Sequence, residues 1–330
     1  MVLAKVKGTY HIARSLAGVE AVDLWIGAIS FEPRCLASLR QCERSGITVR
    51  RLIAFDYTSS VLQASEDLAR RRTHRAELQT LARTWAADGP HYLQLQPYEL
   101  RDAQIALRGT DLLAVQNVVI DVSCMTKLHT IALAESFAAF ASGAGRAYIV
   151  YARPENYGTM TDGFGWRDTL VAPLTDRVPA RRDPSDARGI VIPGHEGDRL
   201  RAALSALPSE RGLIMVGDVP ERRDFRELSE RRNGQTLFLL TDLHAGQWTK
   251  VGVDTRDLPR VAEFTQGQIA VADAERRAIV LYPFGPKPLV FEVARVLANR
   301  CPDATWLVYP MPHRYDIAYS AGDGVVTWYG

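Results

Sequence analysis

The sequence predicts an α/β protein built from two doubly wound lobes with mainly parallel sheets, related to each other by internal duplication. Apolar runs that can be buried on both faces alternate with helix-length amphipathic segments, which is the pattern of parallel strands joined by right-handed crossover helices. This alternation starts again in the second half of the 330 residues. A loop that carries a lysine also occurs once in each half, between an apolar run and a helix.

The first lobe is predicted to cover residues 1–175. Its strands are expected at residues 22–29, 49–55, 92–95, 118–120 and 147–151, and its helices near residues 34–45, 60–86, 99–106 and 126–141. A glycine-rich passage follows, in which Asp162 and Gly163 form a strong turn signal, so we expect a β-hairpin there. Residues 176–188 are rich in Arg, Pro and Asp without periodicity and are predicted to be a linker.

The second lobe is predicted to cover residues 189–330 with the same order of elements. Its strands are expected at residues 189–192, 213–216, 236–240, 279–282 and 305–309, and its helices near residues 198–206, 224–232, 259–274 and 289–300. A final hairpin-like element is expected around Gly322 to Trp328. The duplication therefore extends to the peripheral strands.

The lysines make the repeated loop more specific. The chain has 40 basic residues, of which only five are lysines, and two of these, Lys127 and Lys287, occupy equivalent loops. In a chain that otherwise uses arginine, this choice indicates that a compact, flexible point charge is needed there. The alternative is a coincidence between two solvated helix starts.

Composition restricts the classes of function. With 47% apolar and 24% charged residues the chain is typical of a globular protein, and a net charge of +2 gives no general attraction to nucleic acid or to an anionic membrane, so any anion site must be local. No apolar run reaches the ~18 residues of a membrane span, and a signal peptide is not evident, so we expect a cytoplasmic protein without a membrane partner. The four cysteines lack metal-site spacing, and we expect neither a metal nor a cofactor.

Several polar side chains follow strands of the predicted sheets. In an open parallel sheet, ligands bind at the carboxyl ends of the strands, and a helix that starts there offers free N–H groups to phosphate. The Gly-x-x-x-x-Gly-Lys-Ser/Thr spacing of a P-loop is absent. The predicted ligand-binding residues are Ser30, Glu32, Arg34, Asp121, Ser123, Thr126 and Lys127 in the first lobe and His195, Gly285 and Lys287 in the second.

Each of these residues has a structural alternative. Glu32 and Arg34 could pair with each other, Asp121 could accept hydrogen bonds from its own loop, and Thr126 could simply cap the helix. Gly285 is expected to let backbone approach a ligand closely. A lone His195 is more often structural than catalytic. Residues 70–72 and Arg75 are expected on a solvated helix face, with contact to extended nucleic acid less expected.

The first lysine loop resembles that of a known family. Residues 120–134, which comprise a strand, a polar loop, Thr-Lys and a helix, resemble the ligand-binding loop of the CRISPR-associated Rossmann fold domains, sensors of cyclic oligonucleotides in prokaryotic antiviral defence. In that family a Gly-Gly-Thr-Lys-like turn opens the helix. Thr126 and Lys127 match its end, whereas Cys124 and Met125 take the glycine places; Gly285 and Lys287 are the corresponding match in the second lobe.

The resemblance implies a function for the whole chain. It implies two Rossmann-like lobes that bind a phosphorylated nucleotide between them, a cyclic oligonucleotide in that family, within a sensor subunit that signals to a partner effector protein. The tyrosines at positions 151, 157, 309 and 315 would then flank the bases. Two alternatives remain open. One is a ring-nuclease-like hydrolase with Glu32 or Asp121 as base and His129 or His195 as acid, and the other is a non-catalytic assembly subunit of a defence complex.

Overall fold

The computed structural model describes residues 11–12, 16, 18–57, 65–86, 88–109, 115–140, 146–153, 166–219, 223–243, 247–312 and 325–329. They form two compact units. The first contains Met1–Ala132, Ala139–Gly163 and Arg314–Gly330, and the second contains Leu133–Ala138 and Phe164–His313. Both units are mixed α/β structures with mainly parallel sheets, so the predicted Rossmann-like fold class is confirmed.

The first unit contains a seven-stranded sheet, a separate pair of short strands and the helices that connect the strands. The strands are β1 His11–Ile12, β2 Ala21–Val22, β3 Leu24–Ile29, β4 Thr48–Val49, β5 Leu52–Tyr57, β6 Pro90–Leu95, β7 Asn117–Asp121, β8 Arg146–Arg153 and, from the second half of the sequence, β15 Val325–Tyr329. The helices are α1 Ala37–Arg44, α2 Ser65–Trp85, α3 Leu100–Arg108 and α4 Lys127–Phe140, of which the segment Leu133–Ala138 is counted with the second unit. The sheet order is β1-β8-β7-β3-β5-β6, with β15 also on β8, while β2 and β4 pair separately.

The second unit is a six-stranded sheet. The strands are β9 Trp166–Pro173, β10 Arg188–Ile192, β11 Arg211–Asp218, β12 Trp248–Asp254, β13 Ile279–Pro283 and β14 Thr305–Pro312, in the order β12-β11-β10-β13-β14-β9. The helices are α5 Gly197–Ala206, α6 Arg223–Phe238, α7 Leu258–Glu275 and α8 Lys287–Arg300. The predicted linker, residues 176–188, contains a short 3₁₀ turn, Pro184–Asp186, and its last residue begins β10.

Both sheets share the order of five parallel strands. Numbered along the chain from β3 in the first unit and from β10 in the second, these strands lie in the order 3-2-1-4-5, and a sixth, antiparallel strand pairs with the fifth. The first sheet also contains the short β1, which is parallel to β8. The central strands β3 and β7 and their counterparts β10 and β13 are buried along nearly their whole length. This burial explains why they appear in the sequence as continuous apolar runs rather than as alternating ones.

Two predicted edge elements are wrong. The strand after the first half, β9, does not fold back on β8 but pairs with β14, and the last strand, β15, pairs with β8. Residues 166–173, which we assigned to the first lobe, therefore belong to the second sheet. The turn signals at Asp162 and at Gly322 to Gly324 lie outside the described residues.

One predicted strand is also wrong. Residues 236–240 form the end of α6 and the start of a π-helical turn, Leu239–Leu243, whereas the third strand of the second sheet is β12. The apolar run misled the prediction because a short run of this kind does not distinguish a strand from a helix segment. β12 gave a weaker signal because it is an edge strand with mostly outward-facing residues. Among the described helices, none has the length and apolar character needed to cross a membrane.

Candidate functional site

The predicted ligand-binding residues lie where the strand order of each sheet reverses. In the first unit this switch point separates β3 from β7, and the loops after these strands carry the seven candidate residues of the first half. In the second unit it separates β10 from β13, which are followed by His195 and by Gly285 and Lys287. The switch point is the usual ligand position of open α/β sheets. The fold therefore brings the candidate residues of each unit to neighbouring strand ends.

The hydroxyl groups of the first lysine loop hold the loop itself. The Thr126 hydroxyl accepts a hydrogen bond from the His129 backbone N–H at 3.2 Å, so Thr126 caps α4. Its own N–H donates to the Tyr57 hydroxyl at 3.1 Å. The Ser123 hydroxyl accepts from the Ala152 N–H at 2.7 Å. These bonds fix the path of the backbone ahead of Lys127.

Asp121 is the end of a buried hydrogen-bond chain. The Trp25 indole donates to the Ser38 hydroxyl at 3.0 Å, and Ser38 donates to the Asp121 carboxylate. The other carboxylate oxygen accepts from the Ser123 N–H at 2.9 Å. Burial raises the pKa of Asp121, although hydrogen bonds from Ser123 and Ser38 oppose the rise. Asp121 thus stabilises its own loop and is closed off from solvent.

Glu32 and Arg34 form a buried clamp. The guanidinium donates from Nε to Glu32 at 2.8 Å and from Nη1 to the Ala152 carbonyl at 2.6 Å, and it lies 5.5 Å from the centre of the Tyr151 ring. Both side chains are buried. Burial alone would lower the pKa of Arg34, but Glu32 together with Cys124 and Tyr151 outweighs this effect, so the pKa of Arg34 is raised. The clamp ties the loop after β3 to the end of β8.

The second unit contains the same clamp, which sequence reasoning missed. Arg199 donates to Glu196 at 2.6 Å and to the Pro310 carbonyl at 3.0 Å, and its guanidinium lies 4.3 Å from the centre of the Tyr309 ring. Since Tyr309 matches Tyr151 in the duplication, its next residue, Pro310, matches Ala152. The signal that could have revealed it is the glutamate two or three residues before an arginine after the first strand of each half.

The tyrosine and histidine candidates have packing contacts. Tyr309 is buried with its ring face covered by Arg199, so it is a core aromatic rather than a base-stacking surface. His195 packs edge-to-face on Phe225, with ring centres 4.2 Å apart. Tyr157 and Tyr315 lie outside the described residues.

The glycines of the second unit allow its loops to touch each other. A Cβ on Gly285 would lie 2.5 Å from Ile192 Cγ2 and 3.0 Å from the Pro193 carbonyl oxygen, and a Cβ on Gly194 would overlap the Phe284 carbonyl. The Gly194 carbonyl in turn accepts from Asn233 at 2.7 Å and from Ser229 at 3.0 Å. The close approach that Gly285 permits in this structure is therefore to the neighbouring loop, and its contact with a ligand stays a prediction.

Lys127 and Lys287 differ from most of the other candidates in exposure. Each is the first residue of the helix that follows the fourth strand, and each is partly exposed. His195 shares this partial exposure, whereas Ser30, Glu32, Arg34, Asp121, Ser123, Thr126 and Gly285 are buried. Because the positive end of the helix dipole lies at the same place, the two lysines add to an existing preference for negative charge.

Asp56, at the end of the second strand, is neutralised by arginines of α2. Its carboxylate accepts from Arg71, from Arg75 at 2.9 Å and from Gln94 at 2.8 Å. An acidic residue at this place usually binds the ribose of a dinucleotide. Here Asp56 is buried and its carboxylate already accepts hydrogen bonds from protein side chains, which disfavours a dinucleotide site of that kind. Two of the arginines expected on a solvated face are thus ion-paired to the sheet, whereas Arg70 pairs with Glu66 at the surface.

Within the described part of the chain, no group of three or more His, Cys, Asp or Glu side chains could hold a metal ion. All four cysteines are free and buried. Burial raises the pKa of Cys35 and of Cys42 to about 12 and that of Cys301 to about 11. These thiols are therefore protonated at neutral pH and poor nucleophiles.

Comparisons with known proteins give no assignment. No family model matches the chain, and no curated protein matches it. Among solved structures, the chain is similar to the cytoplasmic domain of a prokaryotic cation chloride cotransporter, with 8% identity, coverage of 88% of this chain and 96% of that one, and a TM-score of 0.26. A similarity at this level carries no argument about function.

Replacing Gly285 by Ala tests its packing role. We expect the Gly285→Ala change to lower the free energy of unfolding by ~1–3 kcal/mol, because the new methyl group overlaps Ile192. Gly267→Ala in α7 is the matched control: its methyl group meets nothing within 4 Å, so it should stabilise the helix by ~1 kcal/mol. Urea unfolding measures both. A Gly285→Ala protein of unchanged stability would contradict the packing role.

His129 is predicted to make the protein sensitive to acid. Its ring is buried, stacks on Tyr57 at 5.2 Å and meets the edge of Phe55 at 5.7 Å. Burial lowers the pKa of His129 from 6.5 to about 4. Between pH 6.5 and about pH 4 the unfolded chain binds a proton at this histidine and the folded chain does not. The free energy of unfolding therefore falls as the pH drops through this range, by on the order of 3 kcal/mol in total.

The change His129→Phe should remove this loss, since phenylalanine fills the same aromatic site without a titrating group. We expect the unfolding midpoint in urea to fall less between pH 6.5 and pH 4 in the variant than in the wild type. His91→Gln, at an exposed position, serves as the control and should keep the wild-type dependence. An unchanged acid response in His129→Phe would show that other groups cause it.

Proposed function

We propose that this protein binds a phosphorylated nucleotide at the switch points of its two Rossmann-like units. The resemblance of the first lysine loop to the CRISPR-associated Rossmann fold domains suggests a cyclic oligonucleotide as the ligand. On the same basis we propose a cytoplasmic sensor subunit of antiviral defence that passes the signal to an effector protein.

The positions of Lys127 and Lys287 are the main support for this proposal. In two sheets that share an order of five parallel strands, a lysine is the first residue of the helix after the fourth of these strands, beside the switch point. The free N–H groups of a helix start and a lysine ammonium group both favour phosphate. Three of the chain's five lysines lie elsewhere, so this repetition is selective.

The fixed loops support ligand binding rather than turnover. Thr126, Ser123 and Asp121 hold the first loop in place before any ligand arrives, which reduces the entropy lost on binding. The carboxylates proposed as general bases are not exposed: Glu32 is held by Arg34, and Asp121 by Ser38 and Ser123. His129 is buried and neutral at physiological pH. This arrangement does not favour the hydrolase alternative.

Removing the two lysines tests the proposal. We expect Lys127→Met and Lys287→Met each to weaken binding of the ligand by roughly 10- to 100-fold, since a hydrogen bond to a charged group contributes ~1.5–3 kcal/mol. Isothermal titration calorimetry against cyclic and linear oligoribonucleotides measures the affinity. Analysis of the recovered nucleotides shows whether any has been cleaved.

Lys250→Met is the matched control. Lys250 lies on β12, pairs with Glu230 at 2.8 Å and is 39% exposed, so its loss removes the same charge from a place far from either switch point in sequence. Its affinity should equal that of the wild type. The proposal fails if wild-type protein binds no oligonucleotide at high micromolar concentration, or if Lys250→Met weakens binding as much as the loop variants.

A further inference from the structure

We propose that the two halves of this chain are interlocked by a reciprocal exchange of their sixth strands. The sheet of the first unit ends in β15, which follows the second half of the sequence, and the sheet of the second unit ends in β9, which follows the first half. Each sheet is thus completed by a strand from the other half. This inference does not depend on any ligand.

The registers are those of two equivalent pairings. Tyr151 on β8 lies opposite Thr327 on β15, and Tyr309 on β14, its counterpart, lies opposite Leu170 on β9. Both sixth strands run antiparallel to the fifth and on its outer edge. The connectors 154–165 and 313–324 have the same length. If two identical hairpins exchange their second strands, the connectors have equal lengths and the strand pairings have equivalent registers.

The exchanged strands cover edges that cannot be left open. Tyr148, Ile149, Val150 and Ala152 of β8 are all buried, and β14 likewise contains the buried residues Leu307 to Tyr309. Without a sixth strand, each fifth strand would present unpaired N–H and C=O groups beside apolar side chains, which is an aggregation-prone edge. Each unit therefore requires both halves of the chain to complete its sheet.

The clamps lie at the same strand ends. Arg34 binds the Ala152 carbonyl and Arg199 binds the Pro310 carbonyl, within two residues of the ends of β8 and β14. β8 and β14 are thus each bound by the arginine of their own unit. Along its outer edge, each of them pairs with a strand from the other half of the chain. We infer that the chain arose by fusion of two copies of a one-unit protein that dimerised by exchanging its last strand, a known low-cost route to dimers.

Cutting the linker tests the exchange in the full chain. Cleavage at a protease recognition sequence inserted between Pro179 and Ala180 breaks the chain into two fragments. β9 then lies on the first fragment and β15 on the second. A disulfide from Ala152→Cys to Val326→Cys then joins the two fragments, because these residues are opposite each other and antiparallel neighbours lie within disulfide range. Val308→Cys with Val171→Cys does the same in the second sheet.

We expect a single linked species on a non-reducing denaturing gel for both cysteine pairs, and a native mass equal to that of the uncut chain by light scattering. Met311→Cys with Val325→Cys is the control: Met311 corresponds to Arg153, which lies opposite Val325, so this pair closes only if β15 folds back on β14, and its thiols should stay free. The parent with native cysteines should give separate fragments on the denaturing gel. Fragments that stay unlinked in both test pairs, or a disulfide in the control pair, would overturn the exchange.

Discussion

The pair of a glutamate with a buried arginine at each switch point is the interaction on which the candidate site depends. Burying a guanidinium is costly unless its charge is paired and it donates hydrogen bonds. Glu32 and Glu196 supply the charge, and the carbonyl groups of Ala152 and Pro310 accept further hydrogen bonds. The loop after the first strand is thereby fastened to the fifth strand, and the fourth strand with its lysine loop lies between them in the sheet.

This fastening explains why most polar side chains of the switch points are buried and hydrogen-bonded within the protein. Carboxylates and hydroxyls that looked suited to chemistry hold one another in place, and the lysines at the helix starts remain partly exposed. A preformed loop with a positive charge at its rim is suited to recognising an anion. It is less suited to proton transfer, which requires an accessible acid or base.

The fold class and most elements were predictable because they depend on local patterns: buried runs for the central strands, and a capping threonine before Lys127. The pairing partners of β9 and β15 were not predictable, because strand pairing is non-local and nothing in a strand's own sequence identifies the sheet that it joins. The second clamp was missed because Arg199 resembles a surface residue of an amphipathic helix until the structure shows it buried. The contact of Gly285 with the neighbouring loop was not predictable, because a glycine allows close approach without indicating which group comes close.

The position of β15 also affects how the protein emerges during synthesis. The seven-stranded sheet of the first unit receives its last strand only after the ribosome has made nearly all of the second half, since residues 325–329 follow β14. At translation rates of ~5–20 residues per second, the outer edge of β8 waits on the order of ten seconds or more for its partner. During that time the nascent chain carries an open apolar edge, so chaperones are expected to bind it there until translation reaches β15.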